Sequence, residues 1–297
     1  GHQTSNIFFS FLSGILLIVI QPPISLFLLA YISLIPLFLS LKKDKSYRVI
    51  FISGYIAGTV SYLGLLYWVI VAMNRFGGIH IFLSFLILLL LVLYLSLYTG
   101  MFSLSLSYLE RRLSIPFYLS APFVWVLLEY LRGISLSGFP WSLMAYSQHN
   151  FLAFIQVVSI TGVYFISFLI VAINCIIYYV LILFMEKKGR ELTPSFLVYA
   201  TLTIMLFAGS IAYGVKTLGY TEQANLKAVI IQGNISQDLK WSESQKTQTV
   251  KVYITKTLEA GKGTDLIIWP ETSMPFVFEE ETQINRYVKT LPETLHT

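Results

Sequence analysis

Residues 79–109 read IHIFLSFLILLLLVLYLSLYTGMFSLSLSYL, from Ile79 to Leu109, with no Asp, Glu, Lys or Arg until Glu110-Arg111-Arg112 closes the run. At a rise of about 1.5 Å per residue, a helix needs roughly 20 apolar residues to cross a hydrocarbon core about 30 Å thick. This stretch is long enough to do so, and similar runs lie on either side of it. Ile7–Ile20 ends at Gln21-Pro22-Pro23, and Ile24–Leu41 ends at a cluster running from Lys42 to Arg48. Val49–Met73 follows, then the quoted run, then Ile115–Leu131. Two more spans are expected within Phe151–Met185 and Pro194–Tyr213. The pattern predicts a polytopic α-helical membrane domain of about seven spans over residues 1–214.

Composition agrees. The 297 residues are 56% hydrophobic and 12% charged, with a mean hydropathy of +0.72. Soluble globular chains carry about 25% charged residues, so a soluble enzyme is excluded for most of the length, and a chain this apolar is not disordered. A single cysteine excludes an intramolecular disulfide framework and any multi-cysteine metal site. The net charge of +5 does not indicate nucleic acid, because the basic residues cluster in short loops. Lys42, Lys43, Lys45 and Arg48 follow the second run, Arg111 and Arg112 the fourth, and Lys187, Lys188 and Arg190 the sixth. Only Arg75 and Arg132 follow the odd-numbered runs. Lys and Arg in short loops stay on the cytoplasmic side. This orientation puts the amino terminus in the cytoplasm and everything after about Tyr213 outside.

Residues 215–297 change character. Leu226–Gln232 and Asp265–Trp269 read as strands, Ser242–Ala260 as a polar helix between them, and Lys262-Gly263-Thr264 as the turn before the second strand. Strand–helix–strand order predicts an α/β layer. About 80 residues are few for such a domain, and Glu279–Thr297 reads as a helix stopping in mid-fold. The chain is therefore expected to be a fragment, a reading with which its start at Gly1-His2 agrees.

Several residues are candidates for chemistry. Glu271, in Trp269-Pro270-Glu271, follows the second strand at a point where functional groups gather in α/β sheets. It reads either as a general base or as a solvated turn residue. Gln232-Gly233-Asn234-Ile235 ends the first strand, and Trp241 beyond it reads equally as a pocket wall, a membrane anchor or a core residue. Glu129 and Arg132, at i and i+3 near a span end, can form a structural ion pair, or serve function as intramembrane charges do. Gly138-Phe139-Pro140-Trp141 and Tyr146-Ser147-Gln148 form a helix-breaking aromatic loop, read as a lipid-admitting loop or an interfacial belt. Cys175 lies inside an apolar run and reads as a packing residue, and the four histidines form no nucleophile motif.

Taken together, Trp125–Gly133, Gly138–Trp141, Tyr146-Ser147-Gln148, Gln232–Ile235, Lys240-Trp241 and Trp269-Pro270-Glu271 make the chain resemble the apolipoprotein N-acyltransferase family. Gln21-Pro22-Pro23 and Phe76-Gly77-Gly78 are weaker echoes. The resemblance implies a bacterial inner-membrane, multi-pass protein with an αββα-type nitrilase-like domain in the periplasm, of which 215–297 is an incomplete first part. It implies a Glu–Lys–Cys triad whose cysteine takes an acyl chain from a phospholipid and passes it, through a thioester, to the amine of a diacylglyceryl lipoprotein. Glu271 matches the general base, Trp241 the mouth of the active site, and Gly138, Phe139, Pro140 and Trp141 the membrane loop beneath it. Neither Lys289 nor Cys175 stands in the matching context of the family's lysine or nucleophile, so the chain as it stands is expected to be inactive. The implied partners are phospholipid, lipoprotein and membrane lipids, with no cofactor or metal. Two alternatives remain: a membrane-anchored nitrilase-type amidase, which shares Glu271 but leaves the Gly138–Trp141 loop unexplained, and a non-enzymatic transporter with a soluble tail, which would carry polar residues deep in several spans.

Overall fold

The computed structural model describes residues 2–41, 44–185, 192–220, 225–236, 246–271, 273–274 and 283–295. They divide into two units, residues 1–220 and 221–297.

The first unit is all helical. Helix α1 spans His2–Val19, and α2 spans Ile35–Ser40 after a short 3₁₀ turn at Phe27–Ile32. Helix α3 (Tyr47–Leu66) starts at Ser46, whose hydroxyl accepts the Val49 N–H at 3.4 Å, the usual device for an orphan amide at a helix start. Helix α4 (Trp68–Val71) and a π-helical turn at Ala72–Phe76 lead into α5 (Ile81–Arg112). Helix α6 runs Phe117–Ile134, two short helices α7 (Leu152–Ile155) and α8 (Val158–Thr161) follow, and then come α9 (Val163–Met185) and α10 (Pro194–Leu218). Thr193 and Pro194 open α10, with the Thr193 hydroxyl accepting the Phe196 N–H at 3.3 Å.

Five helices, α3, α5, α6, α9 and α10, are long and apolar enough to cross a membrane. The remaining apolar segments, Asn6–Val19, Phe27–Ser40 and Leu152–Thr161, are shorter. Sequence reading expected one continuous span over Ile24–Leu41. The structure instead has a 3₁₀ turn and a short helix broken at Ser33-Leu34. The break survives in an apolar interior because Asn174, fully buried on α9, satisfies it. Its amide oxygen accepts the Leu34 N–H at 2.9 Å, and its NH₂ group donates to the carbonyls of Ala30 at 2.8 Å and Ile170 at 2.9 Å. The expected third span, Val49–Met73, is helical along its length but interrupted: α3 ends at Leu66, Tyr67 keeps helical backbone angles, and α4 and the π-helical turn continue to Phe76.

The polarity of this unit is inverted relative to a water-soluble protein. Phe82, Leu90, Phe184 and Met205 face outward, whereas Ser84, Ser96, Ser103, Gln148 and Asn174 are buried. Lipid removes the hydrophobic drive for helices to associate, so contact is made through small residues and close packing. Helices α3 and α5 illustrate this: a Cβ on Gly54 would collide with Ser103 Oγ and the Thr99 carbonyl, and one on Gly58 would come within 2.8 Å of Thr99 Oγ1. The main apolar core lies among α2, α6, α9 and residues 144–157, where the Phe38 ring meets Phe117 edge-on at 4.7 Å.

In the second unit, β1 (Ala228–Ile230) and β2 (Leu266–Ile268) pair in parallel, with Ala228 opposite Leu266 and Ile230 opposite Ile268. Helix α11 (Lys246–Ala260) connects them, as parallel neighbours require, and α12 spans Gln283–Leu295. The strands are shorter than the sequence segments suggested, and the stretch expected to start the polar helix at Ser242 lies outside the described residues up to 245. Trp269 ties helix to sheet: its indole N–H donates to Thr257 Oγ1 at 2.8 Å, and its ring lies 5.3 Å from that of Tyr253.

Candidate functional site

Two groups of candidate residues take shape, one in each unit. In the helical unit the chain leaves α6 through a tight reversal. Leu136, Ser137 and Gly138 all have positive φ, at 50°, 76° and 77°. Only glycine fits the last of these, because a Cβ at 138 would strike the Gly133 carbonyl oxygen. Gly138 N–H donates to the Ser135 carbonyl at 2.9 Å and Phe139 N–H to the Arg132 carbonyl at 2.8 Å, folding Gly138–Trp141 back onto the end of α6.

The far end of the loop is fastened by buried side chains from three other places. Glu129 Oε1 accepts the Met144 N–H at 2.7 Å, Ser167 Oγ accepts the Ala145 N–H at 3.1 Å, and Gln21 donates to the Leu143 carbonyl at 2.9 Å. Gln148 accepts from the Tyr31 hydroxyl at 2.9 Å and donates to the Phe27 carbonyl at 3.2 Å. Irregular backbone in a membrane protein is tolerated where protein satisfies it, and here nearly every partner is a buried polar side chain. Trp141, at the loop's outer turn, lies 5.2 Å from Trp68, ring centre to ring centre. Together they border an apolar cleft of about 730 Å³ that also involves Gln21, Pro22, Gly64 and Tyr146.

Glu129 and Arg132 do not form the direct ion pair expected from their spacing. Among the described residues, no Arg132 nitrogen lies within salt-bridge distance of a Glu129 oxygen. The arginine donates through Nη1 to the Tyr62 hydroxyl on α3, and the carboxylate turns to the Met144 amide. Partners from distant parts of the chain outcompete the neighbour one turn away.

In the second unit, the two motifs singled out in the sequence leave the carboxyl ends of adjacent parallel strands. Ile231 N–H bonds the Ile268 carbonyl at 2.9 Å, so Gln232-Gly233-Asn234 and Trp269-Pro270-Glu271 start side by side. Gly233 lies against the Tyr253 ring, where a Cβ would sit 2.6 Å from a ring carbon. Asn234 has φ 51°, and its side-chain oxygen accepts from Gln232 at 2.7 Å. Glu271 is exposed in the turn after β2, beyond the anchored Trp269. Trp241 lies outside the described residues. Cys175 is buried in the helical unit. Among the described residues, no group of three or more His, Cys, Asp or Glu side chains converges on a point that would hold a metal.

Sequence reasoning missed Tyr62 and Asn174, and took Gln21 only as part of the Gln21-Pro22-Pro23 echo. The available signal was a polar side chain within or beside an apolar run, where an unpaired polar group is costly.

An outward-facing apolar surface, buried polar contacts and five helices of spanning length define a polytopic helical membrane protein. Residues 13–176 match the family model described as "Apolipoprotein N-acyltransferase N-terminal domain". The chain is 36% identical to the apolipoprotein N-acyltransferase of Geobacter metallireducens over 292 residues, covering 96% of this chain and 54% of that relative. It is 29% identical to that of Pasteurella multocida, covering 93% and 52%, and 32% identical to that of Vibrio cholerae, covering 85% and 48%. The chain belongs to the apolipoprotein N-acyltransferase family. It spans about half the length of the curated relatives it matches.

Proposed function

We propose that the protein to which these residues belong transfers an acyl chain from a phospholipid to the amino group of a diacylglyceryl lipoprotein. The observation that carries this reading is the side-by-side departure of Gln232–Asn234 and Trp269–Glu271 from adjacent parallel strands, in a chain of this family. Glu271 acts as the general base in an α/β unit of nitrilase type. In the first step it accepts the thiol proton of the nucleophilic cysteine that the family resemblance implies. Sulfur attacks the ester carbonyl, the carbon–oxygen bond breaks, and the proton passes to the departing lysophospholipid oxygen. In the second step the lipoprotein amine attacks the thioester carbonyl, the carbon–sulfur bond breaks, and the amine's proton returns to sulfur. The thioester conserves the reactivity of the acyl group, so the chemistry calls for no cofactor.

The Gly138–Trp141 loop and the adjoining apolar cleft serve the lipid side of this reaction. The cleft's wall of aromatic and aliphatic side chains suits acyl chains, and buried protein groups anchor the loop's far end. Trp241, which matches the mouth of the active site in the family resemblance, serves substrate entry to the α/β unit. The α/β unit works on the periplasmic side of the bacterial inner membrane. Five spans give that result, and so do seven, provided that Asn6–Val19 and Phe27–Ser40 cross as a pair. The basic residues near 44–48 and Arg111 and Arg112 then stay cytoplasmic.

The test is acylation of a diacylglyceryl lipoprotein by the full-length protein in phospholipid vesicles. Acylation supports the proposal. Release of ammonia from small amides with no lipoprotein acylation would favour the membrane-anchored amidase reading instead.

A further inference from the structure

The buried end of α6 holds more polar atoms than the protein satisfies. Glu129 and Arg132 are only 5% and 4% exposed. Glu129 uses Oε1 and Arg132 uses Nη1; the Ser167 hydroxyl and Trp125 indole stand beside the carboxylate, yet Glu129 Oε2 and the indole N–H have no well-aligned partner, and Arg132 Nε and Nη2 have none. One carboxylate oxygen and three N–H-bearing nitrogens, all on one helix within eight residues, are left without a well-aligned hydrogen bond. An unpaired charge in a low-dielectric interior is costly enough that it is nearly always paired, hydrated or neutralised. These two charges are not in contact with each other.

Space exists between them. Two small voids, each of about 30 Å³, adjoin the cluster. Tyr62, Thr99, Trp125, Glu129 and Arg132 line both. One water needs roughly 10–15 Å³ of such space and two to four polar neighbours. Each void therefore accommodates one or two waters and is too small for a lipid headgroup or a metabolite. The complement of the unpaired atoms, one strong acceptor among several donors, is what a water satisfies by donating to Oε2 and accepting from an N–H.

We propose that these voids are an internal water site bridging Glu129 Oε2 to Arg132 and Trp125, so that the two charges are linked through water. The site sits behind the loop. Arg132 holds the loop's near end through its carbonyl bond to Phe139 N–H, and Glu129 holds the far end at Met144 N–H. The bridging water keeps the carboxylate aimed at Met144 and the guanidinium at Tyr62, which makes Glu129 a positioning residue for the far end of the loop at Met144. The functional consequence rests on the proposed lipid role of that loop, whereas the hydration itself does not.

The experiment is millisecond X-ray radiolysis of the protein in lipid nanodiscs, with site-resolved mass spectrometry in ¹⁸O-water. Hydroxyl radicals born from bound water oxidise adjacent side chains even where bulk solvent is excluded. Tyr62 and Tyr118 are the same residue type and equally exposed at 7%, but Tyr118 stands away from the two voids. The proposal expects Tyr62 to be oxidised measurably faster than Tyr118, because a bound water stands beside Tyr62 alone. Equal rates would overturn it. Deuterium exchange of the 138–148 backbone tests the clamp separately from activity. Glu129→Gln keeps an acceptor for Met144 N–H and should leave exchange near the wild-type rate, while Glu129→Leu should speed exchange in that segment and leave α9 unchanged. Equal exchange in the two variants would overturn the positioning role. Normal hydration and clamping without lipoprotein acylation would count against the proposed function alone.

Discussion

Asn174 on α9 accepts the Leu34 N–H and donates to the Ala30 carbonyl, bridging two backbone groups on either side of a break 140 residues earlier in the chain. Its side chain is fully buried, away from bulk solvent and lipid. Asn174→Leu keeps the branching pattern and removes all three hydrogen bonds. With each stranded buried group costing about 1–3 kcal/mol, the variant should be destabilised by roughly 2–4 kcal/mol. Thermal unfolding in detergent measures this, and an unchanged midpoint would show that the break does not depend on the amide.

Two glycines, one at the close approach of α3 and α5 and one on α10, make contrasting predictions. Gly54→Val pushes a branched side chain into Ser103 and the Thr99 carbonyl, and should destabilise the helical unit by about 1–3 kcal/mol or more. Gly209 on α10 has nothing within 4 Å of a new Cβ. Gly209→Ala should be neutral or stabilising by up to about 1 kcal/mol. The same unfolding assay ranks the two, and a Gly54→Val protein as stable as wild type would contradict the packing.

Trp141 borders the apolar cleft beside Trp68. If acyl chains enter there, Trp141→Ala should raise the KM for the phospholipid donor by roughly tenfold, equivalent to about 1.4 kcal/mol of lost apolar contact, with a smaller effect on kcat. Steady-state kinetics of the full-length protein separates the two constants. Loss confined to kcat would move Trp141 away from lipid binding.

Glu271 should be indispensable to the acyl-enzyme step. Glu271→Gln preserves size and removes the base, so thioester formation from labelled phospholipid should fall by about 10²–10⁴-fold. Ser273→Ala, two residues on in the same turn, serves as the comparison and should be near wild type. Acyl labelling of Glu271→Gln at the wild-type rate would remove the glutamate from the mechanism.

The long helices were legible because nothing but a membrane-spanning helix accounts for a run such as Ile81–Leu109. The break at Ser33-Leu34 was not, because the apolar run across it reads as continuous and the group that permits it, Asn174, lies on another helix. The strand–helix–strand order of the second unit was legible from β-branched runs and the Lys262-Gly263-Thr264 turn. The adjacency of Gln232–Asn234 and Glu271 became visible only with the parallel register of β1 and β2. The i, i+3 spacing of Glu129 and Arg132 pointed to a mutual pair, whereas each takes another partner. Local spacing cannot reveal that Tyr62 and the Met144 amide arrive from elsewhere.

Sidedness tests the account most directly, because phospholipid-to-lipoprotein transfer at the outer leaflet requires the α/β unit outside the cytoplasm. Lys262 is exposed in the turn before β2. In intact spheroplasts, a membrane-impermeant maleimide should label the full-length Lys262→Cys protein above the background of the unaltered protein. Labelling that appears only after the membrane is broken would put Glu271 in the cytoplasm and contradict the account.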